Sequence, residues 1–267
     1  MTELTIPPIP QEALEKFSEE AQAFILRLQR YKTEQHDLSV SQLSKYPQSK
    51  LGAVLILLYE QAGELRVLLT TRSKTLRTHP GQTALPGGRV DDCDANLIET
   101  AYREASEEVG LPLNSPDVHT VVLLEPSISI YKIVVTPVVA VLTRPSLLQE
   151  LKAELNEVAC IFTHPLRAIL DPKVIKDQPL AEQGTEDWPY PEELHSTSDT
   201  PVPMLGNMIY RMHRFRSSAS PIKGLTADIL IKTAEIVFDQ EPTYERYASG
   251  QLQTFRQFLH LLKELKI

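Results

Sequence analysis

The stretch that most limits what this chain can fold into runs Leu85-Pro86-Gly87-Gly88-Arg89-Val90-Asp91-Asp92, then on to Arg103-Glu104-Ala105-Ser106-Glu107-Glu108-Val109-Gly110-Leu111. Its second half reads as a helix that ends at Gly110, with Pro112 just beyond as a stop. With about 100° per residue and Glu104 as zero, Glu107 lies at about −60° and Glu108 at about +40°. Three carboxylates therefore share an arc of roughly 100°. Ile98, Ala101, Tyr102, Ala105 and Val109 fall on an adjoining apolar stripe that can pack on a sheet. The acidic face borders the buried face instead of opposing it.

Two readings of that face are open. Like charges at i, i+3 and i+4 repel slightly in water, and a solvated acidic face tolerates this. Against it stand the two glycines of the preceding turn, where backbone can approach a ligand closely. Arg103, spaced i, i+4 from both Glu99 and Glu107, can hold the acidic ladder in place. Hard divalent cations such as Mg²⁺ take carboxylate oxygens and also bind substrate phosphates, so a metal-phosphate site accounts for the whole stretch.

These residues resemble the Nudix box, the loop-helix motif of hydrolases that cleave diphosphates linked to another moiety. The box runs from a glycine through five residues to a glutamate, then seven residues to R-E-U-x-E-E-x-G-U, with U aliphatic. Arg103 to Leu111 matches, with Ala105 as the first U, and Gly88 is the opening glycine. The front half departs: Asp94 stands where the glutamate is expected, and one extra residue precedes Arg103. The resemblance implies Mg²⁺ or Mn²⁺ held by Glu104, Glu107, Glu108 and the Gly88 carbonyl, with Arg103 positioning the carboxylates. The general base stays open between a box glutamate and a carboxylate brought by a loop.

Upstream, residues 51–58 form an almost unbroken apolar run, read as a buried strand, and residues 65–70 return as its hairpin partner across a Gly-containing turn. The following loop carries Arg72, Lys74, Arg77 and His79 into the glycine turn, and arginine suits bidentate phosphate contacts. The series Leu68-Leu69-Thr70-x-Arg72-Ser73-x-x-Leu76-Arg77-x-His79-x-Gly81-Gln82, leading to Pro86-Gly87-Gly88, is similar to the additional motif of the coenzyme A diphosphatase branch of the Nudix hydrolases. Leu85 stands where that branch often has phenylalanine, and Asp91 and Asp94 match its irregular box front. Gly224-Leu225-Thr226-Ala227, turning into a final helix, also looks like that branch. The substrate residues implied are Arg72, Arg77, His79, Gly87 and Gly88.

The rest supplies the frame. Residues 1–46 read as a leader and a docked helix, 47–239 as the Nudix domain, and 240–267 as a helical tail. Residues 118–124 and 133–142 are a second hairpin, 158–162 a strand, 165–170 a helix, and 171–203 a long loop with Trp188 as a hydrophobic anchor. A strand around residues 208–212 precedes a helix to Phe238, with Thr226 as its N-cap. The expected fold is an α/β/α Nudix sandwich with a mixed sheet and helical extensions at both ends.

A net charge of −8 argues against nucleic acid as partner, and no apolar run reaches the length of a membrane span. Cys93 and Cys160, without metal-ligand spacing, fit a reducing compartment. The acidic, proline-bearing start does not read as a targeting peptide. The ending Leu265-Lys266-Ile267 is not the S-K-L type, so a cytoplasmic enzyme is expected, with peroxisomal entry left to another route. The implied reaction is attack of water on the diphosphate of coenzyme A, giving 3′,5′-ADP and 4′-phosphopantetheine, with acyl or oxidised forms as further substrates. Its rivals are another nucleoside diphosphate derivative (an oxidised nucleotide, a dinucleotide or ADP-ribose) and a non-catalytic nucleotide-binding module. The loop from Arg72 to Gln82 speaks against the first, and the intact glutamates against the second.

Overall fold

Strand β1 (Leu51–Gln61) is the axis of the protein. Its side chains alternate between two buried faces: Ala53, Leu55, Leu57 and Tyr59 enter one core, and Ile56 and Leu58 enter the other. Burial on both sides explains the unbroken apolar run. The computed structural model describes residues 6–31, 46–129 and 131–264. Expectations for the first five residues, for 32–45 and for the C-terminal tripeptide lie outside the described residues.

On one flank β1 meets β2 (Glu64–Arg72) antiparallel, through a turn in which Ala62 and Gly63 both have positive φ. That left-handed pair suits the twist of a two-residue hairpin. Strand β2 pairs with the short β3 (Thr83–Ala84), and β4 (Gly87–Arg89) lies antiparallel on the start of β1. The carboxylate helix follows as α3 (Leu97–Val109), after α1 (Gln11–Leu14) and α2 (Glu19–Arg30) near the start of the chain. Next come β5 (Val118–Leu123), β6 (Ser127–Ile128) and β7 (Val134–Leu142). Both β5 and β6 pair antiparallel with β7, while β7 runs parallel to β1 from Leu51↔Val134 to Tyr59↔Leu142. Strand β8 (Val158–Pro165) pairs with β2. The result is the expected mixed sheet, ordered β3-β2-β1-β7-β5 along its main path.

Helix α3 covers one face through Ala101, Ala105 and Val109. On the other face lie α2, through Ile25 and Leu28, and α4 (Gly224–Phe238), through Leu230 and Ala234. The leader helix thus packs into the same core as the sheet, with Ser18 accepting from the Ala21 amide as its N-cap. A smaller sheet, β9 (His195–Val202), β10 (Met208–Phe215) and β11 (Ile222–Lys223), stands beside the first. Helix α5 (Phe255–Glu264) seats Phe255 and Leu259 against Leu51, Ile128 and Leu205. No described helix is long and apolar enough to cross a membrane.

Several local expectations need correction. The span 171–203 is not one loop: it holds a 3-10 turn (Pro172–Ile175) and all of β9. His195-Ser196-Thr197-Ser198-Asp199-Thr200 lacks the apolar alternation that marks a half-buried strand, so its pairing with β10 comes from tertiary context. The helix expected over 165–170 is a 3-10 turn (Leu166–Ile169). Thr226 does not cap α4; its hydroxyl donates to the Thr83 carbonyl, while Lys223 occupies the cap position without a side-chain bond. Trp188 is the anchor expected, fully buried with Nε1 donating to the Glu192 carbonyl at 2.7 Å.

Candidate active site

The glycine turn is fastened to the centre of the sheet. The Leu55 amide donates to the Pro86 carbonyl at 2.8 Å, and β4 places Gly88 opposite Ala53 and Gly87 opposite Val54. The fit leaves no room for side chains. A Cβ on Gly87 would run into the Ala53 carbonyl and the Val54 backbone, and one on Gly88 would run into the Glu104 carboxylate.

Helix α3 then aims its acids at this turn. Asn96 caps it by accepting from the Ile98 and Glu99 amides at 3.0 Å, and Gly110 closes it in the left-handed conformation. Glu108 points inward: its side chain is 5% exposed, and Oε2 accepts from the Gly87 amide at 3.1 Å. Burial pushes its carboxyl up to about 7, against the pull of that amide and of Arg72. Burial also raises Glu104, with Arg103 opposing. Glu107 is more open and bonds Arg103 at 3.0 Å.

Arg103 is the hub of this face. It donates to Glu104 Oε1 at 3.1 Å, to Glu107 Oε2, to the Arg89 carbonyl, and through Nε and Nη2 to both oxygens of Asp94 at 2.8 and 2.9 Å. The expected Arg103–Glu99 pair is not the one formed; Glu99 instead accepts from the Ala95 amide. The upstream Asp94 takes that place. Its side chain is 3% exposed, it also accepts from Thr100 and the Asp91 amide, and Arg103 holds its carboxyl down at about 2.

The loop cations separate. Arg72 lies on the wall of a cavity of about 490 Å³, with Nη1 3.8 Å from Glu108 Oε1. His79, at positive φ and edge-on to Tyr131, lines the same cavity, as does Gly87. Arg77 is exposed, and neither it nor Gly88 is on the cavity wall.

Sequence reasoning missed three participants. Glu157, just before β8, raises both Glu104 and Glu108 by its charge, and its carbonyl accepts from the Ser73 amide at 2.8 Å. No motif marks it. Tyr210 and Asp228 form a half-buried, hydrogen-bonded pair on the cavity wall. A lone acid within the apolar helix segment Gly224-Leu225-Thr226-Ala227-Asp228-Ile229-Leu230 was the available signal for the second.

The chemistry of the donors fits a hard divalent cation. Glu104, Glu107, Glu108 and the Gly88 carbonyl offer only oxygen, and two of these carboxyls are raised by burial, which a cation would relieve. Among the described residues, however, no three His, Cys, Asp or Glu side chains converge as a ready metal cluster. Arg103 stands between Glu104 and Glu107 instead.

A glycine turn on a central strand, an R-E-x-x-E-E helix behind it and a cavity in front define a Nudix domain. A family model described as the NUDIX domain matches residues 49–181. The chain is 34% identical over 210 residues to "Nudix hydrolase 15, mitochondrial" of Arabidopsis thaliana, covering 77% of this chain and 66% of that one. It is 34% identical over 196 residues to "Nudix hydrolase 22, chloroplastic" of the same plant, covering 73% and 58%. With "Uncharacterized Nudix hydrolase NudL" of Cronobacter sakazakii it shares 41% over 129 residues, covering 48% and 65%. The matches thus span 58% to 66% of these relatives' own lengths. The chain belongs to the Nudix hydrolase family.

Proposed function

We propose that the protein is a divalent-metal-dependent diphosphatase that splits coenzyme A, with acyl and oxidised forms as further substrates, into 3′,5′-ADP and 4′-phosphopantetheine. The observation that carries this reading is Arg72, which lies beside Glu108 and on the wall of the cavity at once. A phosphate bound by Arg72 would lie between the acidic helix and a space able to take a second, bulky moiety. The loop motif that supplies Arg72 and His79 is the one that resembles the coenzyme A branch.

Mg²⁺ or Mn²⁺, held by Glu104, Glu107, Glu108 and the Gly88 carbonyl, would offset charge on the diphosphate and favour ionisation of water. The protein's own groups do the rest. Arg72 binds and orients a diphosphate oxygen, and Gly87 and Gly88 let the turn lie close against β1 and the Glu104 carboxylate. Asp94 fixes Arg103, and Arg103 spaces Glu104 and Glu107. Glu157 is the loop carboxylate we assign as proton acceptor for the attacking water, being exposed and electrostatically coupled to Glu104 and Glu108. The Nudix domain in this reading is residues 47–239, and the compartment we propose is the cytoplasm; exclusive co-sedimentation with peroxisomes would overturn the latter.

The test is kcat/KM on coenzyme A, its 3′-dephospho form, ADP-ribose and an oxidised nucleotide, each with Mg²⁺ and with Mn²⁺. Coenzyme A should be preferred. Arg72→Ala should lose about ten- to a hundredfold, the worth of one charge-assisted phosphate contact. Far better hydrolysis of ADP-ribose or the oxidised nucleotide would refute the substrate assignment. Equal loss by Arg72→Ala on both forms of coenzyme A would assign the arginine to the diphosphate and not to the 3′-phosphate.

A further inference from the structure

The cavity wall carries two kinds of group. Arg72, His79 and the Gly87 backbone bring cationic and donor groups. Leu205, Met208, Met212, Ile229 and Phe258, from the second sheet and its connecting turn, α4 and α5, add apolar surface to that of Val54, Leu85 and Ile128. The first five follow residue 181, where the matched Nudix model stops. Methionine side chains and a phenylalanine make an adaptable apolar surface, unsuited to a charged group.

One polar device stands in that wall. Tyr210 donates its hydroxyl to Asp228 Oδ2 at 2.7 Å. Asp228 is withdrawn from bulk solvent but keeps surface towards the cavity, and burial raises its carboxyl to about 6. Lys223 is also on the wall, held below the ordinary lysine range by burial and by Arg214. A carboxylate has room for several hydrogen bonds, and the tyrosine proton uses one. With that proton committed, the pair presents acceptors to a ligand. An uncharged group with an N–H or O–H would be held there.

We propose that the Tyr210–Asp228 pair and the apolar wall around it form the subsite for an uncharged, amide-bearing arm of the substrate, with Asp228 accepting a hydrogen bond from an arm N–H. This rests on the coenzyme A reading, because the pantetheine arm is such a chain: two amides, otherwise largely aliphatic. The subsite makes the segments beyond the matched domain the part of the protein that selects the substrate. The glycine turn and the acidic helix act on the diphosphate that all candidate substrates share.

The experiment uses the full chain with Mg²⁺. Asp228→Asn keeps the size and an oxygen for Tyr210, but turns an N–H donor towards the arm. Its KM for coenzyme A should rise about tenfold while kcat stays within about threefold, so the coenzyme A to ADP-ribose ratio of kcat/KM falls about tenfold. Pantetheine, as a competitive inhibitor, should weaken by the same factor. Phe258→Ala, which removes a ring from the wall and leaves the pair intact, should lower the same ratio and carries the test if Asp228→Asn does not fold. An unchanged ratio in a folded variant overturns the proposal. If wild type does not hydrolyse coenzyme A, the substrate reading fails separately. The subsite is then judged by the Tm rise that pantetheine gives: a rise lost in Asp228→Asn supports it, and no rise in wild type overturns it.

Discussion

Replacing Asp94 by Asn tests whether the acidic lattice is held from outside the helix. Asp94 accepts two hydrogen bonds from Arg103, one from Thr100, one from the Asp91 amide and a long one from the Cys93 thiol. Its carboxyl, lowered from 3.8 to about 2 chiefly by the Arg103 contact, contributes about 2 kcal/mol to folding at neutral pH. Asparagine keeps the shape but sets an N–H against the guanidinium, so the total cost should reach about 2–4 kcal/mol. At about 2–4 °C per kcal/mol, Tm should fall by roughly 5–15 °C at pH 7. The folded value lies below the unfolded one, so this stability is present above about pH 4 and lost as the pH falls towards 2. The difference between wild type and variant should therefore narrow over that window. Without Asp94, Arg103 keeps only Glu104 and Glu107 as carboxylate partners, and more Mg²⁺ should be needed for half-maximal activity. Thermal unfolding at several pH values, with a Mg²⁺ titration of activity, provides the readout. A Tm within about 2 °C of wild type, or a difference that does not narrow in acid, would refute the reasoning.

Glu107→Gln or Glu108→Gln should reduce activity by orders of magnitude while the far-UV spectrum is kept; full activity in both, or activity surviving exhaustive chelation, would sink the metal assignment. Gly87→Ala and Gly88→Ala should fail differently. The first meets backbone of β1 and should lower Tm, whereas the second meets the movable Glu104 carboxylate and should fold but lose activity, so equal Tm losses would contradict the geometry. His164 is buried with Nε2 unpartnered, and burial lowers it to about 3. Being neutral when folded, it adds stability that is present above about pH 6.5 and lost below it, at about 1.4 kcal/mol per pH unit. Denaturant unfolding at pH 7 and pH 5 should cost wild type about 2 kcal/mol more than His164→Leu, and parallel losses would count against it.

What could be read from the sequence was local. The turn, the helix with its three glutamates, the hairpin of β1 and β2 and the apolar strand β7 each carry their pattern within a few residues. Asp94 is the instructive exception. By spacing it was only a displaced acid, and its partner became visible once the extra residue before Arg103 was folded into the loop at 91–96. Arg77 shows the reverse, a cation in a good motif that the loop turns outward. The strand β9 and the pair Tyr210–Asp228 depend on contacts between distant segments, which no periodicity encodes.

The parallel pairing of β1 with β7 has a consequence for how the protein comes into being. Leu51 must find Val134, and the glycine turn, Asp94, Arg103 and the three glutamates of α3 lie in the chain between them. Closing a loop of that length precedes any reward from the contacts it brings together, so assembly is slow. Helix α3 can flicker early on its own caps, but the glycine turn has no strand to lie on until β1 is seated. On the ribosome the site would stay unformed until β7 has emerged, and a cation offered earlier would meet only a loose acidic helix.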